Sequence, residues 1–390
     1  MAVDVDVIII GAGLAGLIAA RDLRETGLTV RVLEGRARVG GRTLSVSAPD
    51  GSTEDLGAEF VQLRVHHRMI RELSRHGIPL EASDGEGAAQ ATVKDARYDA
   101  LLAALDRDAE RVPHDALWHD DIADLDIPFR DLLRSHEPDE RVTACVEEPV
   151  FSFTGVPASE ISALYVLREA RGFGGFASMF VEEEARVVGG TQALSVALSI
   201  ELGGALRTLA RVTRVEDDGS CVRVTYLDEN DGREYTDIGR GAVVAVPFNV
   251  LHRIAYEPTL PDAVRAECER GHSGRTRKTY FNTDSVRREG EYRVLFEGRS
   301  PARTCIMTLP EDDGGVIVDD STRSHDWAED EFARGTWVSP RPGQLSALDF
   351  LRKREGRVVF AGGDIALSWP GWLEGAVASG EEVVTRLTLG

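Results

Sequence analysis

Gly11, Gly13 and Gly16 are spaced G-x-G-x-x-G directly after the apolar run 7–10. That arrangement lets a main chain bind phosphate. Gly11 permits a tight turn, Gly13 lets a pyrophosphate approach the backbone, and Gly16 lets the following helix pack closely. Leu14 and Ala15 open that helix, whose free N–H groups and positive dipole end suit an anion. Glu34 ends a second apolar run, 29–33, about 20 residues on, where a carboxylate accepts both hydroxyls of a ribose. Arg36, Arg38, Gly40, Gly41 and Arg42 then form R-x-R-x-G-G-R. Cations and a flexible glycine pair suit the other side of a pyrophosphate. The glycines alone would be weak evidence, but strand, turn, helix, second strand and terminal acid agree on a dinucleotide.

A second group of residues lies near the C-terminus. Ala-Gly-Gly-Asp at 361–364 follows the apolar run 357–360, and Trp-Pro-Gly-Trp-Leu-Glu-Gly-Ala at 369–376 leads into a helix starting near Trp372. Between the two groups stand Gly335-Thr336-Trp337 and Lys278. Together these segments resemble the flavin-containing amine oxidase family, which includes monoamine oxidases, polyamine oxidases and L-amino-acid oxidases. An NAD-dependent enzyme would not account for Gly-Gly-Arg. The likeness is strong over 4–60 and 357–388, moderate over 186–255 and 335–345, and faint over 61–185.

The resemblance implies an α/β fold: a Rossmann-like FAD-binding domain with an inserted α+β substrate domain. It implies FAD-dependent oxidation of a C–N bond of a small amine or amino acid. Hydride passes to flavin N5, an imine forms, and oxygen returns hydrogen peroxide. In the segment 55–61, Gly57 and Ala58, followed by Glu59 and Phe60, match the stretch passing close to the flavin. Val212 matches the position whose backbone meets adenine. Gly363, Asp364, Trp372 and Leu373 match the second FAD signature, with Asp364 where a glutamate is usual. Trp337 and Trp372 match the two walls of an aromatic cage, with Trp369 beside them. Thr336 replaces the flavin-linking cysteine of monoamine oxidases, so FAD is expected to be non-covalent. Gln62 stands where polyamine-oxidizing relatives carry His or Glu, and by the same resemblance it and Trp369 are expected to contact the substrate. Arg64 would receive the carboxylate of an amino-acid substrate, or would be a solvated residue at a helix start. Lys278 matches a lysine near the flavin and, buried there, would have a lowered pKa; the other reading is an exposed edge lysine. Two further functions stay open: a desaturase or dehydrogenase of the same superfamily, and a flavin-binding protein without turnover.

These residues need elements to place them. The FAD-binding domain is expected from 1–60, 186–260 and 345–390, and the substrate domain from 61–185 and 261–344. Helices are predicted over 14–25, 65–77, 95–111, 122–129, 132–133, 142–151, 159–171, 192–201 and 261–271, with a short one at 249–253. Strands are predicted over 205–209, 212–215, 222–227, 235–238 and 242–246, then over 276–281, 294–296, 304–309 and 315–318. The stretch 80–92 reads as loop or strand.

With 390 residues, 42% hydrophobic and 28% charged, the chain has the make-up of an ordinary globular protein with core for two or three domains. A net charge of −21 argues against nucleic acid as a partner. No apolar run is long enough to span a bilayer, and no signal-type segment opens the chain. Cys145, Cys221, Cys268 and Cys305 are scattered without metal or redox spacing, which suggests reduced cysteines in a cytoplasm and no metal site. Monomer and homodimer both stay open.

Overall fold

In a computed structural model the described residues are 3–82, 95–113, 116–180, 184–283, 294–299, 303–309 and 318–389. The first apolar run forms the strand Val5–Ile10. It is buried on both faces, as its unbroken hydrophobicity requires. Val7 and Ile9 pack with Leu17, Leu198 and Val377 from three helices on one side, while Ile8 and Ile10 join a separate core on the other.

Hydrogen bonds order the main sheet as Ala255–Glu257, Ala210–Asp217, Val222–Asp228, Arg233–Val244, Val5–Ile10, Val30–Leu33 and Leu206–Arg207, with Val358–Phe360 also paired to Arg233–Val244. Val5–Ile10 is parallel to both neighbours, and Val358–Phe360 is parallel to Arg233–Val244. Both glycine motifs therefore leave the carboxyl ends of parallel strands, the edge where open α/β sheets bind ligands. Arg233–Val244 is one strand, not the two predicted. Gly239 and Gly241 look like a break, but pairing with Val5 and Val7 carries the strand through them.

Helix Leu14–Glu25 packs along helix Leu373–Arg386, and a Cβ on Gly380 would lie 2.6 Å from the Ala15 carbonyl oxygen. A four-stranded antiparallel sheet runs Val294–Arg299, Arg303–Thr308, Arg277–Asn282, Arg323–Asp326. A three-stranded one runs Phe60–Gln62, Glu184–Val187, Leu80–Ala82. Arg323–Asp326 was not predicted, because four polar residues show no apolar alternation.

The helical portion follows the predicted order with shifted ends. Asp95 caps Ala96–Glu110 by accepting from Arg97 and Tyr98 N–H. The segment predicted as 122–129 and 132–133 becomes a short 3₁₀ helix, Asp120–Leu125, and an α-helix, Phe129–His136. Pro128 separates them by disfavouring helix at Ile127. Glu140–Thr154 and Ala163–Phe173 complete the group, and the predicted 65–77 narrows to His67–Arg75. Most of the predicted strand 315–318, and all of 80–92 beyond Ala82 up to 92, lie outside the described residues. Among the described residues no helix is long and apolar enough to cross a membrane.

Candidate active site

A cavity of about 410 Å³ follows the carboxyl ends of the parallel strands. Gly11, Gly13, Leu14, Ala15, Glu34, Arg36, Gly41, Arg42 and Val212 line one part of it. Gly57, Ala58, Lys278, Trp337, Gly363, Trp372 and Leu373 line the rest. Residues far apart in the chain thus share one wall.

At the first part, Gly11 turns at φ 101°, and a Cβ there would lie 2.7 Å from the Ala245 carbonyl oxygen. A Cβ on Gly13 would meet nothing within 4 Å, so the backbone there is bare toward open space. Gly16 is not on the wall; its missing side chain lets the helix lie against the Gly11 carbonyl, the packing role read from its spacing. Glu34 is buried, with Oε2 accepting from Ala12 N–H at 2.7 Å and Oε1 from Arg36 N–H at 2.8 Å. Burial raises its pKa more than those two donors lower it. The Arg36 guanidinium is engaged by Asp330, with Nη1 to Oδ2 at 2.9 Å, and lies 5.1 Å from the Phe332 ring centre.

Arg42 joins the two parts. Its Nη1 donates to the Thr336 carbonyl at 2.7 Å and to Asp364 Oδ1 at 2.6 Å. Asp364 was read as meeting the cofactor, but it is buried behind the wall, its second oxygen accepting from Phe248 N–H at 2.9 Å. Burial would raise its pKa, yet the Arg42 guanidinium and its other partners hold it below the usual carboxylate range. Thr336 Oγ1 is buried beside the cavity and has no hydrogen-bond partner among the described residues.

At the second part, Trp337 Nε1 donates to the Thr154 carbonyl at 2.9 Å, and Trp372 Nε1 to Glu169 Oε2 at 2.8 Å. Lys278 is 4% exposed, which excludes the edge-lysine reading. Its Nζ forms an ion pair with Glu59 and reaches the Gly57 carbonyl at 3.3 Å. Glu59 also accepts from Arg186 Nε at 2.8 Å and the Tyr280 hydroxyl at 3.1 Å. Burial alone would lower the lysine pKa, but the Glu59 charge outweighs it and the net shift is upward. The expectation of a lowered pKa is corrected by that partner, which no local pattern announces.

Other expected contacts are not on the wall. Glu59 faces Lys278 instead, and the Phe60 ring lies 5.4 Å from the Arg186 guanidinium. Gln62 is buried and donates to Glu184 Oε1 at 2.6 Å. Arg64 is exposed in the turn before helix His67–Arg75. Trp369 packs behind Trp372, 4.8 Å from Phe173 and 5.5 Å from His66 between ring centres. All three were read as substrate contacts; each has gone to packing, to a different hydrogen bond or to the surface. Conversely, Glu169 went unread, being one glutamate inside an apolar helix with no motif around it.

The fold and this cavity define a class of protein with a parallel α/β sheet and, at its carboxyl edge, a chamber lined in part by Trp337 and Trp372. The chain belongs to the flavin containing amine oxidoreductase family, whose model matches residues 14–307 and 309–388. It is 27% identical to the (S)-6-hydroxynicotine oxidase of Paenarthrobacter nicotinovorans over 98% of this chain and 99% of that protein. It is 33% identical to the putrescine oxidase of Kocuria rosea over 67% of this chain and 60% of that protein. Its fold matches the solved cyclohexylamine oxidase from Brevibacterium oxydans IH-35A with a TM-score of 0.79, at 23% identity and 98% coverage of both chains. The chain is therefore a flavin-dependent enzyme that oxidises amines.

Proposed function

We propose that this enzyme binds FAD non-covalently and oxidises a small or flat monoamine held between Trp337 and Trp372, with oxygen as electron acceptor. One observation carries the reading: Lys278, Trp337 and Trp372 line the same cavity as Gly13 and Glu34. The residues present fit FAD. Bare backbone at Gly13, a buried carboxylate at Glu34 and the unpartnered Thr336 hydroxyl offer sites for pyrophosphate, ribose and a further polar group. Bound FAD would supply the acceptor for the amine's α-hydride. Val212 would meet adenine, and Arg42, held by Asp364, would reinforce the phosphate side. All four cysteines are free and none lines the cavity, which supports non-covalent attachment and a reducing, cytoplasmic location. The division into an FAD-binding domain (1–60, 186–260, 345–390) and a substrate domain (61–185, 261–344) is part of the same proposal.

The protein's own groups have definable tasks. The two indoles exclude water and orient the amine nitrogen. Lys278, kept charged by Glu59, would act as a fixed cation and donor, orienting water beside the reacting atoms. Its charge disfavours a second cation and so favours the neutral amine, the form that yields hydride. Among the described residues, the only carboxylate residues on the cavity wall are Glu34 and Glu331, both near Arg36 and Phe332. A diamine such as the one named for the putrescine oxidase would lack an anchor for its far end. The ring amine named for the hydroxynicotine oxidase suits the indole walls better. Arg64 on the surface speaks against an amino acid.

Anaerobic mixing with a ring monoamine, putrescine and an amino acid tests this. The expected result is bleaching of flavin absorbance by the ring monoamine, and colour released to the supernatant on acid precipitation. A panel in which no amine bleaches the flavin would remove the reading, and colour kept in the pellet would remove non-covalent binding.

A further inference from the structure

We propose that Glu169 is a positioning residue of the aromatic cage: through its hydrogen bond to Trp372 it sets the plane in which that indole meets the substrate. The proposal rests on Trp372 being a cage wall. Trp372 ends the turn that precedes helix Leu373–Arg386. Around its ring stand His66, Phe153, Phe173 and Trp369 at 5.0, 5.1, 6.1 and 6.4 Å between centres, in edge or tilted contacts, none stacked parallel. Such contacts tolerate several ring orientations. The indole has one polar atom to choose among them, and that atom donates to Glu169 Oε2 at 2.8 Å.

Glu169 lies on helix Ala163–Phe173 and is 1% exposed. One turn earlier on the same helix, the Tyr165 hydroxyl donates to the Pro370 carbonyl at 3.1 Å. The helix thus grips both the backbone and the ring of the turn that carries Trp372. An apolar residue at 169 would leave the indole N–H without that partner in a partly buried place, a cost that makes other ring orientations competitive.

Burial pushes the Glu169 carboxyl up to about 8, against the Trp372 N–H and the nearby Arg168. The groups around it are few. Arg168, on its own helix, turns its guanidinium to the Ala116 and Leu367 carbonyls. Tyr165 has its pKa raised by burial and stays neutral, and His66, beyond Trp372, is lowered by burial to about 3 and also stays neutral. Near pH 7 Glu169 therefore carries a proton, and no negative charge stands behind the indole. Ionisation would place one there, make the ring face more negative, and favour ammonium over the neutral amine that gives up hydride.

Protein labelled with ¹⁵N in its tryptophan side chains tests the proposal, with Trp372→Phe assigning the signal. The Trp372 N–H should move with an apparent pKa near 8 in the parent, should not titrate in Glu169→Gln, and should shift upfield in Glu169→Leu. Flavin reduction at saturating amine should fall at least about tenfold in Glu169→Leu at equal FAD content, and Glu169→Gln should return most of it while losing the decline above pH 8. If Glu169→Leu does not fold, the loss of titration in Glu169→Gln decides alone. An indole signal indifferent to both substitutions overturns the proposal, as does a Glu169→Leu rate within about twofold of the parent. If no amine reduces the parent flavin, the cage reading falls and the proposal with it, while the indole signal still shows whether Glu169 holds Trp372.

Discussion

At the scale of single residues, the site depends on buried charges that have been given partners. Lys278 and Glu59 have side chains 5% and 6% exposed. Breaking a buried pair leaves an uncompensated charge, typically costing about 3–5 kcal/mol. Here Glu59 keeps Arg186 and Tyr280, so Lys278→Met is expected near the low end, about 3 kcal/mol, in denaturant unfolding. Glu59→Gln, which takes the shared partner from both Lys278 and Arg186, should cost more than Lys278→Met; a smaller loss would show that the pair is not the source. The same Lys278→Met protein should retain FAD while flavin reduction or reoxidation slows at least about tenfold in stopped flow. Glu34→Ala is a cleaner test of the nucleotide end. It removes the acceptor proposed for the ribose hydroxyls and should weaken FAD binding by about 1–3 kcal/mol in a titration of apoprotein. Unchanged affinity would reject the assignment.

At the scale of elements, the turn 369–372 and helix Leu373–Arg386 tie the proposed cage to the core. Trp369 adopts φ 58°, a left-handed conformation uncommon for a bulky residue. Gly375 faces the Trp369 carbonyl with no room for a Cβ, and Gly380 faces Ala15 on the neighbouring helix. Both obstacles are backbone and cannot rotate away. Gly380→Ala should destabilise by about 1–3 kcal/mol through helix separation alone. Gly375→Ala should cost a similar amount and also displace Trp372, so its flavin reduction should slow while that of Gly380→Ala stays closer to the parent. Equal kinetic effects in the two variants would mean that the turn is not what positions the indole.

At the scale of the whole molecule, buried titratable groups set how stability depends on pH. His66 and His272 are lowered by burial, from 6.5 to about 3 and about 4. Their contribution is complete above pH 6.5 and is lost as pH falls through those values. Glu169 runs the other way: raised from 4.5 to about 8, it contributes fully below 4.5 and loses that contribution as pH rises through 8. Of these three groups only Glu169 acts between pH 6.5 and 8, so Tm should decline across that interval. Glu169→Gln should flatten the decline and leave the acid limb unchanged. Parallel Tm profiles for parent and variant would assign the alkaline loss to other groups.

Much of the glycine-lined end of the cavity was legible because it is local. A tight turn, a bare backbone atom and a helix start are all encoded within residues 11–16, and Glu34 follows at a distance set by one helix and one strand. The aromatic positions 337 and 372 were legible for a similar reason, each lying in a short segment with its own glycines. What surrounds them was not. Glu59 and Lys278 are 219 residues apart, and Glu169 and Trp372 are 203 apart. Periodicity reports which face of an element is buried, but carries no record of which side chain will stand opposite. That pairing follows only when two elements pack, because the low dielectric between them makes an unpaired charge or N–H costly and a partner decisive. Hence the sequence alone determined the glycine turn, the acid that ends the second strand and the reaction class, and tertiary packing decided that Lys278 is charged, that Gln62, Arg64 and Trp369 leave the cavity wall, and that a buried glutamate stands behind Trp372.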